Sequence, residues 1–266
     1  MAASNPISVL QITDTHIMAM PDATLLGIKT AHYFNAVMEL ASRSKTKFDL
    51  CLVTGDLAQE PVPESYQYMV DTLEQYQSPC VCLPGNHDDL EIMQAVLCTE
   101  TVNCRKRVAL GKWQVICLNS QIPNSPDGLL SEIELSYLEN TLKDYPDLFS
   151  LIAIHHNCVP CGSGWMDVMM VKNAQALFEL ISRYPNVRVI INGHIHQELD
   201  TQVDSVRVLS TPSTCFQFKP NSDSFTLDDT SPGYRRIELY DDGSVITEVV
   251  RIPEQLSGLQ HNTHGY

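Results

Sequence analysis

Short apolar runs alternate with longer amphipathic stretches along most of this chain. The runs are rich in Val, Ile, Leu and Cys, which is typical of strands buried on both faces. They predict strands at 7–12, 50–54, 80–83, 107–110, 113–119, 151–154, 187–191 and 207–210. In the amphipathic stretches apolar residues recur at helical spacing. These predict helices at 31–44, 63–76, 91–97, 131–142 and 172–183.

Several residues mark the ends of these elements. Pro63 suits the first turn of a helix, where its missing N–H group is not needed. Ser131 is a candidate N-cap, and Glu134 stands at the capping-box position three residues later. Near the C-terminus, residues 235–240 and 244–251 form a predicted hairpin that turns at residues 241–243, Asp-Asp-Gly.

Alternating strands and helices predict an α/β fold of stacked sheets with helices outside. The β-rich C-terminal third is expected to supply a second sheet packed on the first. No internal repeat or low-complexity linker interrupts the pattern. We therefore expect a single domain over residues 1–254 and a loosely ordered tail over residues 255–266.

Composition narrows the classes of partner. The formal net charge of −15 argues against a nucleic-acid partner, because such binding needs a basic surface. An acidic protein can still bind a small phosphate if metal ions supply local positive charge. The longest apolar runs are far too short to span a membrane. Nothing in the sequence declares an oligomeric state.

Nine cysteines are expected to be free thiols, several of them inside buried strands. This usage, with an N-terminus that lacks the features of a signal peptide, favours a cytoplasmic location. Cys158 and Cys161 form a C-x-x-C motif, which is a candidate for a redox or zinc role. The sequence has no second cysteine pair that would complete a tetrahedral zinc site.

Candidate chemistry lies directly after five predicted strands. The motifs are Asp14-Thr15-His16, Gly55-Asp56, Gly85-Asn86-His87-Asp88, His155-His156 and Gly193-His194-Ile195-His196. Ligands of α/β sheets gather at the carboxyl ends of strands. Each motif alone is common in loops, but five in order point to one shared site.

The residue types indicate metal ions. Carboxylate, carboxamide and imidazole groups suit Mn, Fe, Zn or Co. Seven such groups are too many for one ion but suit two ions with a bridging carboxylate. We therefore expect Asp14, His16, Asp56, Asn86, His155, His194 and His196 to be metal ligands. The glycines in these motifs allow the backbone to turn sharply.

The motifs resemble those of the calcineurin-like metallophosphoesterase superfamily, D-x-H, GD, GNH[DE], H and GHxH. Further strings resemble its bacterial class III 3′,5′-cyclic-AMP phosphodiesterase branch. These strings are LQITDTH at 10–16, TGDLAQ at 54–59, GHIHQELD at 193–200 and STPSTCFQFKP at 210–220. The resemblance implies a layered αββα sandwich of two mixed β-sheets flanked by helices.

The resemblance also implies a role for each residue. Asp14, His16, Asp56 and His196 would hold the first ion, and Asn86, His155 and His194 would complete the second, with Asp56 bridging. His87 would be a histidine beside the scissile phosphate that binds no metal. The substrate would contact His16, Asp56, Asn86, His87 and His196.

The implied reaction is hydrolysis of 3′,5′-cyclic AMP to 5′-AMP. Two divalent ions, Fe²⁺ or Mn²⁺ with Zn²⁺ and Co²⁺ as alternatives, would provide a bridging hydroxide for in-line attack. His87 and Asp56 are the candidate catalytic residues, His87 as proton donor to the leaving 3′-oxygen. Asp88 is a candidate for orienting His87.

Two alternatives remain open. The enzyme could act on another ester, such as a 2′,3′-cyclic nucleotide, a glycerophosphodiester or a phosphomonoester, because the metal motifs are common to these classes. A non-catalytic scaffold is the other alternative, although such a protein is expected to lose ligands. For the base, the candidate contacts are Phe216 and the methionines at 18, 20, 166, 169 and 170. The simpler interpretation of all of them is packing.

Overall fold

The computed structural model describes residues 5–45, 47–263 and 265. It contains two six-stranded mixed sheets, six helices and two short β-ribbons among these residues. The strands are β1 (Ile7–Ile12), β2 (Leu50–Thr54), β3 (Cys80–Leu83), β4 (Val102–Asn103), β5 (Arg107–Leu110), β6 (Trp113–Cys117), β7 (Gln121–Ile122), β8 (Ser125–Gly128), β9 (Phe149–Ala153), β10 (Val187–Asn192), β11 (Leu199–Val203), β12 (Val206–Ser210), β13 (Gln217–Phe218), β14 (Leu227–Asp228), β15 (Gly233–Leu239) and β16 (Val245–Arg251). The helices are α1 (Thr30–Ser42), α2 (Pro63–Glu74), α3 (Leu90–Val96), α4 (Glu132–Asp144), α5 (Gly164–Asp167) and α6 (Ala174–Ile181).

The first sheet has the strand order β16-β15-β1-β2-β3-β4, and the second has β11-β12-β10-β9-β6-β5. Strands β1 to β4 run parallel in the first sheet, as do β6, β9, β10 and β12 in the second. Antiparallel strands complete the edges of both sheets. The predicted α/β sandwich of two mixed sheets is confirmed.

Three apolar clusters correspond to the three spaces between these layers. The central cluster lies between the sheets and includes Val9, Leu52, Val115 and Ile191. A second cluster packs α1 and α2 against the first sheet, and a third packs α4 and α6 against the second. Because each parallel strand is covered on both faces, its apolar residues are nearly continuous rather than alternating.

The origin of the second sheet differs from the prediction. The C-terminal hairpin β15–β16 forms in the predicted place, but β15 pairs antiparallel with β1 and extends the first sheet. The second sheet comes instead from residues 107–210. The expectation that the C-terminal third builds the second sheet is therefore met only in part, because β10, β11 and β12 lie in that third whereas β5, β6 and β9 precede it. The open edge of β1 accepts the hairpin, a long-range pairing that local patterns do not encode.

Predicted helix ends are met in part. Helix α2 begins at Pro63, and the Ser131 hydroxyl accepts a hydrogen bond from the Glu134 N–H at 3.3 Å. The second half of the capping box is absent from this helix. The Glu134 carboxylate instead accepts hydrogen bonds from Lys106 Nζ at 2.6 Å and the Asn119 N–H at 3.1 Å.

The segment after residue 254 contacts the domain in its described part. The Ser257 N–H donates to the Tyr33 hydroxyl at 2.8 Å, and the Gln260 N–H donates to the Leu26 carbonyl at 3.0 Å. Leu256 packs against the first-sheet core. Residues 264 and 266 of the predicted tail, and residues 1–4 and 46 of the predicted domain, lie outside the described residues.

Candidate metal centre

The seven predicted ligands follow the carboxyl ends of five parallel strands, three from the first sheet and two from the second. Asp14 and His16 follow β1, Asp56 follows β2 and Asn86 follows β3. His155 follows β9, and the pair at 194 and 196 follows β10. The two sheets bring these strand ends together, and all seven side chains meet in one cluster.

An unusual backbone conformation is common to five of these residues. Their φ angles lie between 44° and 67°, in the left-handed region that non-glycine residues adopt infrequently. The five are Asp14, His16, Asp56, His194 and His196. Such strain persists only where the surrounding structure enforces it, and it concentrates at functional sites. Here it occurs at residues whose side chains leave the ends of different strands and lie close together.

Two glycines allow the loops to approach the carboxylates closely. A Cβ atom on Gly85 would lie 2.1 Å from Asp56 Oδ1. A Cβ atom on Gly193 would lie 1.9 Å from Thr13 Oγ1 and 2.7 Å from Asp14 Oδ2. Neither position has room for a side chain, so the loops can hold the carboxylates in place only with glycine there.

The first group of ligand atoms surrounds His196. Its Nε2 lies 3.4 Å from Asp14 Oδ1 and 3.2 Å from His16 Nε2. His16 Nε2 also lies 3.9 Å from Asp56 Oδ2. Three imidazole or carboxylate donors at such distances can surround one ion.

The second group surrounds the other side of Asp56. His155 Nε2 lies 3.3 Å from Asp56 Oδ2 and 3.2 Å from Asn86 Oδ1. The ring of His194 lies 5.1 Å from that of His155, measured between centroids. His194 Nε2 is buried and has no hydrogen-bond partner in the described structure. A buried, unsatisfied ring nitrogen is costly unless a ligand occupies the position, so this group fits a second ion.

Hydrogen bonds to the outer ring nitrogens orient three of the imidazoles. His155 Nδ1 donates to the Thr54 carbonyl and His196 Nδ1 to the Phe216 carbonyl, both at 2.8 Å. His16 Nδ1 lies 2.9 Å from Gln59 Oε1. With a proton on Nδ1, each ring presents its Nε2 lone pair to the centre, the arrangement typical of metal-binding histidines.

Burial and neighbouring charges set the protonation of the centre. Burial lowers the pKa of His16 and of His194 well below the ordinary value. Burial alone would also lower the pKa of His155, but the Asp56 carboxylate outweighs it and raises that pKa to about 9. Burial alone would raise the pKa of Asp56. His155 and the other nearby imidazoles outweigh burial and hold this pKa well below its usual range. The centre thus carries ionised carboxylate against imidazole, and divalent ions would take the place of the imidazole protons.

His87 lies beside the cluster. Its backbone N–H donates to Asp56 Oδ1 at 2.9 Å, and its ring meets that of His16 edge-on with centroids 5.0 Å apart. Its side chain also lines a cavity that opens next to the cluster.

Asp88, the candidate for orienting His87, binds backbone groups of two loops with its carboxylate. Its carboxylate accepts hydrogen bonds from the backbone N–H groups of Leu57, Ala58 and Gly85 at 2.9–3.1 Å. The Tyr66 hydroxyl is a further donor at 3.1 Å. Asp88 therefore joins the loop after β2 to the loop after β3. Burial, followed by the charge of Asp56, raises the pKa of Asp88 to about 6.

Sequence comparison decides the family. The profile of the calcineurin-like phosphoesterase family matches residues 7–198. The chain belongs to this family. The superfamily resemblance predicted from the motifs is confirmed, and the fold and the clustering of the predicted ligands agree with it.

Two named relatives match almost the whole chain. The chain is 41% identical over 255 residues to the 3′,5′-cyclic adenosine monophosphate phosphodiesterase CpdA of Escherichia coli (strain K12), covering 96% of this chain and 93% of the relative. It is 38% identical to CpdA of Pseudomonas aeruginosa, covering 100% and 97%. Among solved structures, a dimetal phosphatase from Danio rerio has the same fold, with a TM-score of 0.68 at 12% identity and coverage of 97% and 100%.

The structure also bears on three further expectations from the sequence: a base contact at Phe216, a role for the C-x-x-C motif and the absence of a membrane span. Phe216 is completely buried; its ring stacks on that of His16 and lies tilted against that of His196, so it packs behind these two predicted ligands. Burial raises the pKa of Cys158 to about 12 and that of Cys161 to about 11. Both side chains therefore stay protonated at neutral pH, whereas redox chemistry and metal binding need the thiolate. No helix in the described ranges has the length and apolarity to cross a membrane.

Sequence reasoning missed Trp165. This residue lies in the one-turn helix α5 and lines the cavity next to the cluster with Phe218 and Phe225. No sequence motif marks this tryptophan as functional, and only its position in space draws attention to it.

Proposed function

We propose that this family member hydrolyses 3′,5′-cyclic AMP to 5′-AMP with two divalent metal ions. The observation that carries the proposal is the position of the Asp56 carboxylate between two groups of ligand atoms. A carboxylate between two ion positions is the arrangement of two-metal hydrolases. The names of the relatives at 38–41% identity support the substrate.

The proposed ligands divide into two sets. Asp14, His16, Asp56 and His196 hold one ion, and Asp56, Asn86, His155 and His194 hold the other. When bound, the ions supply Lewis acidity, which polarises the phosphoryl group and lowers the pKa of water to about 7. We propose Fe²⁺ or Mn²⁺, with Zn²⁺ and Co²⁺ as alternatives, because the donors are nitrogen and oxygen without thiolate.

Protein side chains manage position and protons. The carbonyls of Thr54 and Phe216 keep the imidazoles of His155 and His196 in a fixed orientation. His87 lies at the boundary between cluster and cavity, where it can donate a proton to the 3′-oxygen as the ester bond breaks. General-acid assistance of this kind contributes roughly 10²–10⁴-fold. We expect the phosphate to contact His16, Asp56, Asn86, His87 and His196.

A cytoplasmic location is also part of the proposal. All nine cysteines are free thiols in the described structure, six of them buried. Unpaired thiols are typical of a reducing compartment.

Hydrolysis of 3′,5′-cyclic AMP by purified protein loaded with Mn²⁺ or Fe²⁺ tests the function. We expect metal-dependent release of 5′-AMP that an Asn86→Ala variant loses. Parallel assays use 2′,3′-cyclic AMP, bis-p-nitrophenyl phosphate and p-nitrophenyl phosphate. Turnover of these esters without turnover of 3′,5′-cyclic AMP would contradict the substrate and retain the metal centre. Two bound ions without any turnover would instead favour the scaffold.

A further inference from the structure

A cavity of about 230 Å³ opens directly beside the cluster of proposed ligands. One wall consists of Asn86, His87 and His194. Anything bound in this cavity therefore lies next to a phosphate held at the ions. The cavity is smaller than the roughly 300–1,000 Å³ typical of pockets for whole drug-sized ligands, so it suits one part of a substrate.

The opposite wall is aromatic and apolar. The Trp165 ring meets Phe218 at 5.0 Å and Phe225 at 5.3 Å between centroids, both nearly edge-on. Phe218 in turn stacks on the ring of His196 at 4.2 Å and 21°. The cavity is also lined by Pro126, Met166, Met169 and Gly265. Successive ring contacts thus connect the proposed metal ligand His196 through Phe218 to Trp165 and Phe225.

The indole of Trp165 carries an unused donor. Its Nε1 is buried, and no acceptor in the described structure lies within hydrogen-bond distance. The indole nitrogen can only donate. A buried N–H group without a partner carries a free-energy cost, because it has lost its hydrogen bond to water. A ligand acceptor in the cavity would remove this cost.

We propose that this cavity holds the adenine base of the substrate, with the Trp165 N–H donating to a ring nitrogen of the base. The proposal rests on the function proposed above. Trp165, Phe218 and Phe225 offer the base aromatic contacts, while the phosphate stays at the ions on the other side of His87. Trp165 is then a residue that determines specificity for a nitrogen heterocycle.

The chemistry of the lining favours a base over a charged group. Among the described residues that line the cavity there is no Lys, Arg, Asp or Glu. A second phosphate or a carboxylate would therefore find no countercharge there. A base, in contrast, has ring-nitrogen acceptors and flat π faces that stack favourably on aromatic side chains.

The first test compares steady-state kinetics of wild type, Trp165→Phe and Trp165→Ala on 3′,5′-cyclic AMP. Trp165→Phe keeps an aromatic ring and removes the N–H, so we expect KM to rise about 3- to 10-fold with little change in kcat. Trp165→Ala also removes the ring and raises KM roughly 5-fold or more beyond that. Trp113→Phe is the matched control, because Trp113 is buried between the sheets and donates to the Tyr240 carbonyl.

Substrate analogues identify the hydrogen bond. Of the 1-, 3- and 7-deaza analogues of cyclic AMP, we expect one to have a raised KM with wild type. Trp165→Phe should abolish that difference. An unchanged KM in Trp165→Phe, with the same response to every analogue, would overturn the proposal even if cyclic AMP is a good substrate.

Fluorescence separates this proposal from the catalytic one. The Trp113→Phe variant retains Trp165 as its single tryptophan. We expect adenosine to change its emission saturably and ribose 5-phosphate to leave it unchanged. If wild type fails to hydrolyse cyclic AMP, the proposed function falls, but a response to adenosine would still support a base site. No response to adenosine, or an equal response to ribose 5-phosphate, would exclude the base site.

Discussion

His16 Nε2 and His196 Nε2 face each other at 3.2 Å, although 180 residues separate them in the chain. His16 follows β1 of the first sheet, and His196 follows β10 of the second. The contact therefore joins the two halves of the sandwich at its functional end. The Nδ1 atom of each ring is already engaged in a hydrogen bond, so both Nε2 atoms can direct their lone pairs to the same point. An ion at that point would hold the two rings together.

Loss of one of these imidazoles should remove one ion. We expect His196→Ala to bind about one metal equivalent fewer per chain than wild type, measured by elemental analysis after gel filtration. Phosphodiesterase activity should fall by at least about 100-fold, because even outer partners of metal ligands contribute roughly 10–100-fold. His32→Ala is the control, since His32 is exposed and pairs with Glu254. Full metal content in His196→Ala would contradict the assignment.

Gly85 should be intolerant of any side chain. In Gly85→Ala the new Cβ would meet Asp56 Oδ1 at 2.1 Å and displace the carboxylate between the two ion positions. We expect kcat/KM to fall roughly 10- to 100-fold with reduced metal affinity. Gly111→Asn is a matched substitution in a turn with positive φ, where the nearest atom is the flexible end of Ile7 at 3.3 Å. Equal activity of both variants would show that Asp56 can move freely.

Asp88 should stabilise the folded protein, because its carboxylate binds the loop that carries Asp56. Asp88→Asn replaces an acceptor of four hydrogen bonds with a group that presents its own N–H donors to the same partners. We expect a loss of about 2–4 kcal/mol in the free energy of unfolding, measured by urea denaturation at pH 8. The neighbouring Asp89 caps α3, and Asp89→Ala should cost only about 1 kcal/mol. The reverse order of the two effects would be inconsistent with this role.

Arg235 should stabilise the contact between the sheets. It is 1% exposed and donates from β15 to the Ser210 carbonyl at 2.7 Å and the Leu199 carbonyl at 3.3 Å, both in the second sheet. We expect Arg235→Ala to lower the free energy of unfolding by about 3–5 kcal/mol, through lost hydrogen bonds and a cavity.

The adjacent residue provides the control for that measurement. Arg236 lies on the same strand, is partly exposed and pairs with Glu248 at 3.2 Å. Partly exposed ion pairs contribute little, so Arg236→Ala should cost less than about 1 kcal/mol. Similar losses of unfolding free energy in the two variants would indicate that the hydrogen bonds from Arg235 to the carbonyls at 199 and 210 add nothing to stability.

Much of the fold could be predicted from local sequence. The buried parallel strands β1, β2 and β3 lie where their apolar runs predict them, because a strand covered on both faces needs apolar residues throughout. Strand β11 was missed, since its LDTQV sequence carries no continuous apolar signal. Its antiparallel pairing with β12 places it at an edge of the sheet, where alternate residues remain partly exposed.

The sequence by itself determined which residues gather at the centre. Asp, Asn and His residues directly after buried strands lie at the carboxyl ends of those strands, and the parallel strands of each sheet end on the same side of that sheet. The tertiary structure alone decided how they are held: the partners of Asp88, the carbonyls that orient His155 and His196, and the position of Trp165 beside the cluster. These contacts join residues distant in the chain. Their formation depends on the packing of whole sheets and loops, which local patterns do not specify.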